Sequence, residues 1–85
     1  MKQITYTITD ALGIHARPAG QLAKLSAGFK SKITLNAPNG QADAKRIMAV
    51  MRLAVKSGME VTFTCEGEDE EAACTALSTF LTENL

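Results

Sequence analysis

Gly13-Ile14-His15-Ala16-Arg17-Pro18-Ala19 marks the point where a strand pattern gives way to a helix pattern. Ahead of it, Ile4, Tyr6 and Ile8 alternate with Thr5 and Thr7, the period of a half-buried strand. Proline has no N–H to donate and its φ is already helical, so Pro18 fits only the first turn of a helix. The segment therefore predicts a turn over Asp10 to Gly13 and a helix start beside His15, with the backbone N–H groups of Ala16 and Arg17 left free. Ala19, Leu22, Ala23 and Phe29 line one face of that helix, and Gly28 marks its end.

The same reasoning extends to the rest of the chain. Ile33 and Leu35 alternate with Lys32, Thr34 and Asn36 in a second strand, and Pro38-Asn39-Gly40 turns it back into a short third strand from Gln41 to Ala44. A second helix is predicted from Arg46 or Ile47 to about Lys56, closed by Ser57-Gly58. Val61, Phe63 and Cys65 alternate with Thr62 and Thr64 in a fourth strand. The last helix opens on Glu68, Asp69, Glu70 and Glu71, acids that suit its positive end as capping residues, and carries the stripe Ala73, Ala76, Leu77, Phe80 and Leu81. The order is βαββαβα. Helices must bury their apolar faces, so the expected fold is α+β: a two-layer open-faced sandwich, a four-stranded antiparallel sheet covered on one face by three helices. These patterns leave the strand order open.

Eighty-five residues leave room for a single domain spanning 1–85. With 46% hydrophobic and 21% charged residues, the composition is that of a globular chain rather than a disordered tail. No stretch approaches the roughly 18 apolar residues of a membrane span, and one early lysine followed by strand alternation is no signal peptide. The expectation is a cytoplasmic protein with no membrane partner. Cys65 and Cys74 are then buried thiols rather than a disulfide. Two cysteines and one histidine make a poor metal set, so no metal or other cofactor is expected.

The net charge is zero but unevenly spread. All nine basic residues lie between Lys2 and Lys56, and seven of the nine acids lie from Glu60 onward. Arg17, Lys24, Lys45, Arg46 and Arg52 are expected toward the histidine end, where they would steer an acidic protein partner. Nucleic acid is disfavoured: there is no basic excess, no tryptophan and a single tyrosine, Tyr6.

His15 is the only histidine in the chain. An imidazole attacks phosphorus through a neutral ring nitrogen, and an unperturbed one, with a pKa of about 6.5, is mostly neutral at pH 7. Once the ring carries phosphate, the helix N-terminus and Arg17 face an anion. A helix end contributes roughly 0.3–1 kcal/mol to such a contact, and the guanidinium adds charge-assisted hydrogen bonds. Gly13 is expected to admit an unusual φ and to leave room for another protein to approach the ring. The second helix is apolar on more sides than a core needs. Val50, Leu53 and Ala54 share one face, while Ile47, Met48 and Met51 fall on another, a pattern that fits either an adaptable docking surface or a short helix buried on two sides.

The heptapeptide from Gly13 to Ala19 resembles the active-site motif of the HPr family, the histidine-containing phosphocarriers of the bacterial phosphoenolpyruvate-dependent sugar phosphotransferase system. Lys45-Arg46-Ile47-Met48-Ala49-Val50-Met51 is similar to the family's second motif and Cys65-Glu66-Gly67-Glu68-Asp69-Glu70 to its third, so the resemblance covers essentially the whole chain. It implies the strand order first, fourth, second, third. It also implies a phosphoryl carrier that takes phosphate on His15 Nδ1 from enzyme I and passes it to sugar-specific IIA domains. Arg17 and the amides of Ala16 and Arg17 would hold the phosphate. The docking face would comprise Gly20, Lys24, Arg46, Ile47, Met48, Met51 and Arg52, on a protein working as a monomer. Many Gram-positive members carry a regulatory serine where this chain has Arg46, so the resemblance withholds that switch. The competing expectation is a regulatory docking module, or a pathway-specific, nitrogen-type member with little role in sugar transport.

Overall fold

The computed structural model describes residues 1–85. Its elements are β1 (Lys2–Thr7), α1 (Ala16–Ala27), β2 (Lys32–Ala37), β3 (Gly40–Asp43), α2 (Ile47–Arg52), β4 (Glu60–Glu66) and α3 (Glu70–Asn84). The strands form one antiparallel sheet in the order β1-β4-β2-β3, as the family resemblance implies. β4 is central, and its Phe63 lies in register between Ile4 of β1 and Leu35 of β2. Period-2 alternation sends Val61, Phe63 and Cys65 into the core, where they meet Leu22 of α1, Val50 of α2 and Leu77 and Leu81 of α3. The helices cover that face alone. On the other, Thr5 and Thr62 join hydroxyls across strands, and the Asn36 amide donates to Thr62 O and Thr64 Oγ1 at 3.0 and 3.1 Å. No helix is long and apolar enough to cross a membrane.

The hairpin follows its turn residues: Ala37 pairs with Gly40 across Pro38 and Asn39. The second helix departs from its pattern. It stops at Arg52, short of the expected Lys56, because Leu53 caps it and Ala54 adopts φ +53°, outside the helical region. Ala54 is consequently exposed rather than on the core face, and Val55 fills the position instead. Local periodicity continued past this point, but burying Val55 requires the chain to break away.

The charged residues also sort differently from their sequence order. Lys45 does not join the histidine end. Its Nζ donates to Phe29 O at 2.8 Å, just beyond the C-terminal end of α1. Lys2 and Lys30 pair with Glu71 and Glu68 at 3.4 and 3.1 Å, so folding brings part of the basic half onto the acidic half. Asp69 sits at the N-cap position of α3 yet makes no side-chain bond to its own helix. Its carboxylate instead accepts the N–H groups of Lys30 and Ser31, both at 2.8 Å, and the Ser31 hydroxyl, clamping the segment that leads into β2.

The Ser31 hydroxyl, with help from the Lys30 N–H, holds the Asp69 carboxyl at about 2, below the ordinary 3.8. A folded-state value below the unfolded one means that this carboxylate's stabilisation is fully present above about pH 4 and is lost as pH falls toward 2. Denaturant midpoints measured from pH 5 to pH 2 should therefore drop in the native protein and drop less in Asp69→Asn. Parallel curves would remove Asp69 as the acid-sensitive contact. Elsewhere in the core, burial and contact with the Cys74 thiol push Cys65 up to about 12, which leaves it protonated and unreactive at neutral pH.

Candidate functional site

The approach to His15 is shaped by Asp10 and Gly13. Asp10 Oδ1 accepts the Leu12 N–H at 2.8 Å and Asp10 O accepts the Gly13 N–H at 2.9 Å, a side-chain-stabilised turn. Gly13 then adopts φ +67°. A Cβ there would overlap Val55 O and lie 2.7 Å from Lys56 Cα. The glycine thus makes room for the protein's own chain after α2, not for an approaching partner. The neighbouring Ile14 N–H donates to Val55 O at 3.0 Å, which fixes the loop before the histidine to the loop after α2.

His15 is the N-cap residue of α1 in extended backbone, φ −93° and ψ −175°, and its ring makes no capping hydrogen bond. Its carbonyl accepts the Ala19 N–H at 2.9 Å, closing the first turn. Pro18 occupies that turn as its missing donor requires, buried together with Ala19. The N–H groups of Ala16 and Arg17 precede the first intrahelical bond and point out of the helix end. The ring is 37% exposed, and its Nε2 lies 3.9 Å from Asp10 Oδ2, within ion-pair range but beyond a hydrogen bond. Nδ1 has no partner. Arg17 is exposed and meets no carboxylate of its own chain. A nucleophilic ring nitrogen, two free amides and an unpaired guanidinium are together equipped to hold a phosphoryl group.

The expected docking residues divide. Gly20 of α1 faces Ile47 of α2 so closely that a Cβ on the glycine would touch Ile47 Cδ1 at 3.4 Å, which joins the two helices beside the histidine. Ile47, Met48 and Met51 remain 40%, 60% and 39% exposed, while Val50 and Leu53 are buried, so α2 does present a second apolar face. Lys24 is exposed one turn beyond Gly20 on the same side of α1. Arg46, also exposed, stands at the N-cap of α2 with its Nε 3.9 Å from Asp43 Oδ2. Arg52 is exposed one turn beyond Met48 on α2, where it borders a hollow with Asn39, Gly40 and Gln41 of the hairpin.

Two residues of this region were not singled out from sequence. Leu12 is 72% exposed in the Asp10 turn, an apolar side chain three residues ahead of the histidine. Asp10 is the carboxylate facing the ring. An Asp two residues ahead of a lone apolar residue, within a turn that precedes a histidine, was the only local signal for either. No group of three or more His, Cys, Asp or Glu side chains converges to hold a metal ion.

Comparison with known proteins agrees with this geometry. Residues 2–83 match the family model described as the PTS HPr component phosphorylation site. The chain is 47% identical over 83 residues to the phosphocarrier protein HPr of Lysinibacillus sphaericus, covering 98% of this chain and 94% of that one. It is 43% identical over 77 residues to the phosphocarrier protein HPr of Mycoplasma capricolum, covering 91% and 86%. A solved histidine-containing phosphocarrier protein of Mycoplasma superposes with a TM-score of 0.94 at 39% identity, covering 96% of this chain and 93% of that one. Agreement of this kind along the whole length, in sequence and in fold, places the chain in the HPr family of phosphocarrier proteins of the phosphotransferase system.

Proposed function

We propose that this protein carries a phosphoryl group on His15 Nδ1, accepting it from phosphorylated enzyme I and passing it to sugar-specific IIA domains. The observation that carries this reading is the open helix end at His15: an unpartnered Nδ1 beside the free amides of Ala16 and Arg17 and an unpaired Arg17. The protein is a stoichiometric carrier rather than an enzyme, acting as a cytoplasmic monomer without a cofactor. Positioning and electrostatics supply most of the effect in such a transfer. Incubation with enzyme I and labelled phosphoenolpyruvate tests it directly: stoichiometric label on His15 supports the carrier, and absence of label leaves a docking module without transfer.

Arg17 stabilises charge that develops during transfer and does little for the fold. An exposed side chain of this kind contributes under about 1 kcal/mol to stability, whereas a pre-aimed cation acts fully on the transition state. Arg17→Glu should slow transfer to and from His15 by well over tenfold, with little change in melting temperature. Equal rates in rapid-quench experiments would strip Arg17 of this role.

Partners dock on the outward apolar face of α2 and the adjacent part of α1, centred on Ile47, Met48 and Met51 and joined by Gly20, Lys24, Arg46 and Arg52. A few central apolar anchors dominate such surfaces. Met48→Asp should weaken enzyme I binding and keep the fold, since Met48 is mostly exposed. Leu53→Asp, at 8% exposure, should unfold the protein by burying a charge. Calorimetry of binding and of melting separates the two effects, and loss of the fold in Met48→Asp would make that face part of the core. Arg46 leaves a permanent positive charge at the start of α2, so the family's serine-dependent shut-off has no acceptor there.

A further inference from the structure

We propose that Asp10 is a positioning residue for the transfer, holding the His15 ring as the Nε2–H tautomer and stabilising the positive charge the ring acquires when Nδ1 is phosphorylated. This rests on the carrier reading given above. Asp10 Oδ2 lies 3.9 Å from His15 Nε2, while Oδ1 is anchored by the Leu12 N–H at 2.8 Å and the Asp10 N–H by Leu85 O at 2.9 Å. The carboxylate is therefore fixed before any partner arrives. Facing Nε2, it repels a lone pair there and favours a proton, which leaves the lone pair on Nδ1, the nitrogen without a partner in the chain.

The charge balance of the step gives the carboxylate its task. Nδ1 donates its lone pair to phosphorus as the bond from phosphorus to the donor breaks, and the donor leaves with that electron pair. No proton enters or leaves the ring. A neutral ring with a proton on Nε2 thus becomes a positively charged phosphoimidazole, and the new charge is shared with Nε2, opposite Asp10. In the return step the same proton lets the ring depart as a neutral imidazole rather than as an anion. Asp10 favours the charged phosphorylated ring from the side remote from the phosphate, while Arg17 and the helix amides act on the phosphate itself. A carrier needs both directions to be easy, and a carboxylate aimed at Nε2 serves both.

Asp10→Asn tests this, because an amide oxygen can still accept the Leu12 N–H while the charge is gone. Three readouts are expected to move together. Nitrogen-15 spectra of His15 should show the native ring mainly as the Nε2–H tautomer and the variant as a mixture. Transfer from phosphorylated enzyme I should slow by about tenfold in kcat with KM for enzyme I nearly unchanged. The isolated phosphorylated variant should hydrolyse more slowly, since its ring is less readily charged. Equal tautomer ratios and equal kcat in the two proteins overturn the proposal, as does a loss confined to KM, which would assign Asp10 to docking. If enzyme I places no phosphate on His15 of the native protein, it is the carrier reading that falls. The tautomer comparison still decides whether Asp10 sets the ring.

Discussion

Replacing His15 with Ala is expected to yield a folded protein that accepts no phosphate at all. The ring is partly exposed, makes no capping hydrogen bond and lies outside the buried core. Its loss should change stability by less than about 1 kcal/mol, in the range of surface substitutions away from special features. What keeps α1 in place lies beside the histidine, in its backbone carbonyl on the Ala19 N–H, in buried Pro18 and Ala19, and in the Ile14 bond to Val55 O. All of these survive the substitution. The chain has no second histidine to take over. Label transferred from phosphoenolpyruvate through enzyme I should be acid-labile and base-stable in the native protein and absent from His15→Ala. Retained incorporation would falsify the assignment of the phosphorylated residue.

Gly13→Ala should produce the largest loss of stability among substitutions near the site. At φ +67° an alanine is strained by roughly 1–2 kcal/mol. Its Cβ would overlap Val55 O, and both groups belong to backbone, so relief requires one chain segment to move. Overpacking of that kind costs about 1–3 kcal/mol. For a chain of this size the sum corresponds to a fall in melting temperature of very roughly 10–25 °C. Movement of this segment also displaces the ring two residues on, so transfer should fall with stability. Gly58→Ala supplies the comparison. Gly58 has φ +88° with no atom near its missing Cβ, so only the backbone strain should appear. Equal melting temperatures in the two variants would show that the contact with Val55 is soft.

Much of this was legible in order along the chain. The strands followed their alternation, Pro18 located the helix start, and the turn at Pro38-Asn39 joined β2 to β3 in the expected place. The second apolar face of α2 was legible too, but a helix apolar on two sides can be buried on both, and only the tertiary structure leaves Ile47, Met48 and Met51 exposed. The failures share a cause. The apolar spacing through Leu53 and Ala54 and the Ser57-Gly58 stop predict α2 to about Lys56, yet the chain adopts φ +53° at Ala54 and buries Val55. Acids suit the start of α3 and predict Asp69 as a cap for its own helix, whereas its carboxylate reaches Ser31, just ahead of β2, across 38 residues of sequence.

Periodicity and turn chemistry act over a few residues, so composition and order alone were enough to establish the seven elements, the α+β class and the histidine at a helix start. Strand order, the purpose of Gly13 and the partner of His15 depend on which distant segments come to rest against one another. Gly13 is a glycine because Val55 lies against it, Lys45 is drawn off to Phe29 by a carbonyl otherwise lacking a donor, and Asp10 faces the ring because its turn is pinned by Leu12 and Leu85. Such contacts are settled by the packing of the whole core around β4, where many small terms must be satisfied at once, and no local stretch of residues encodes that sum.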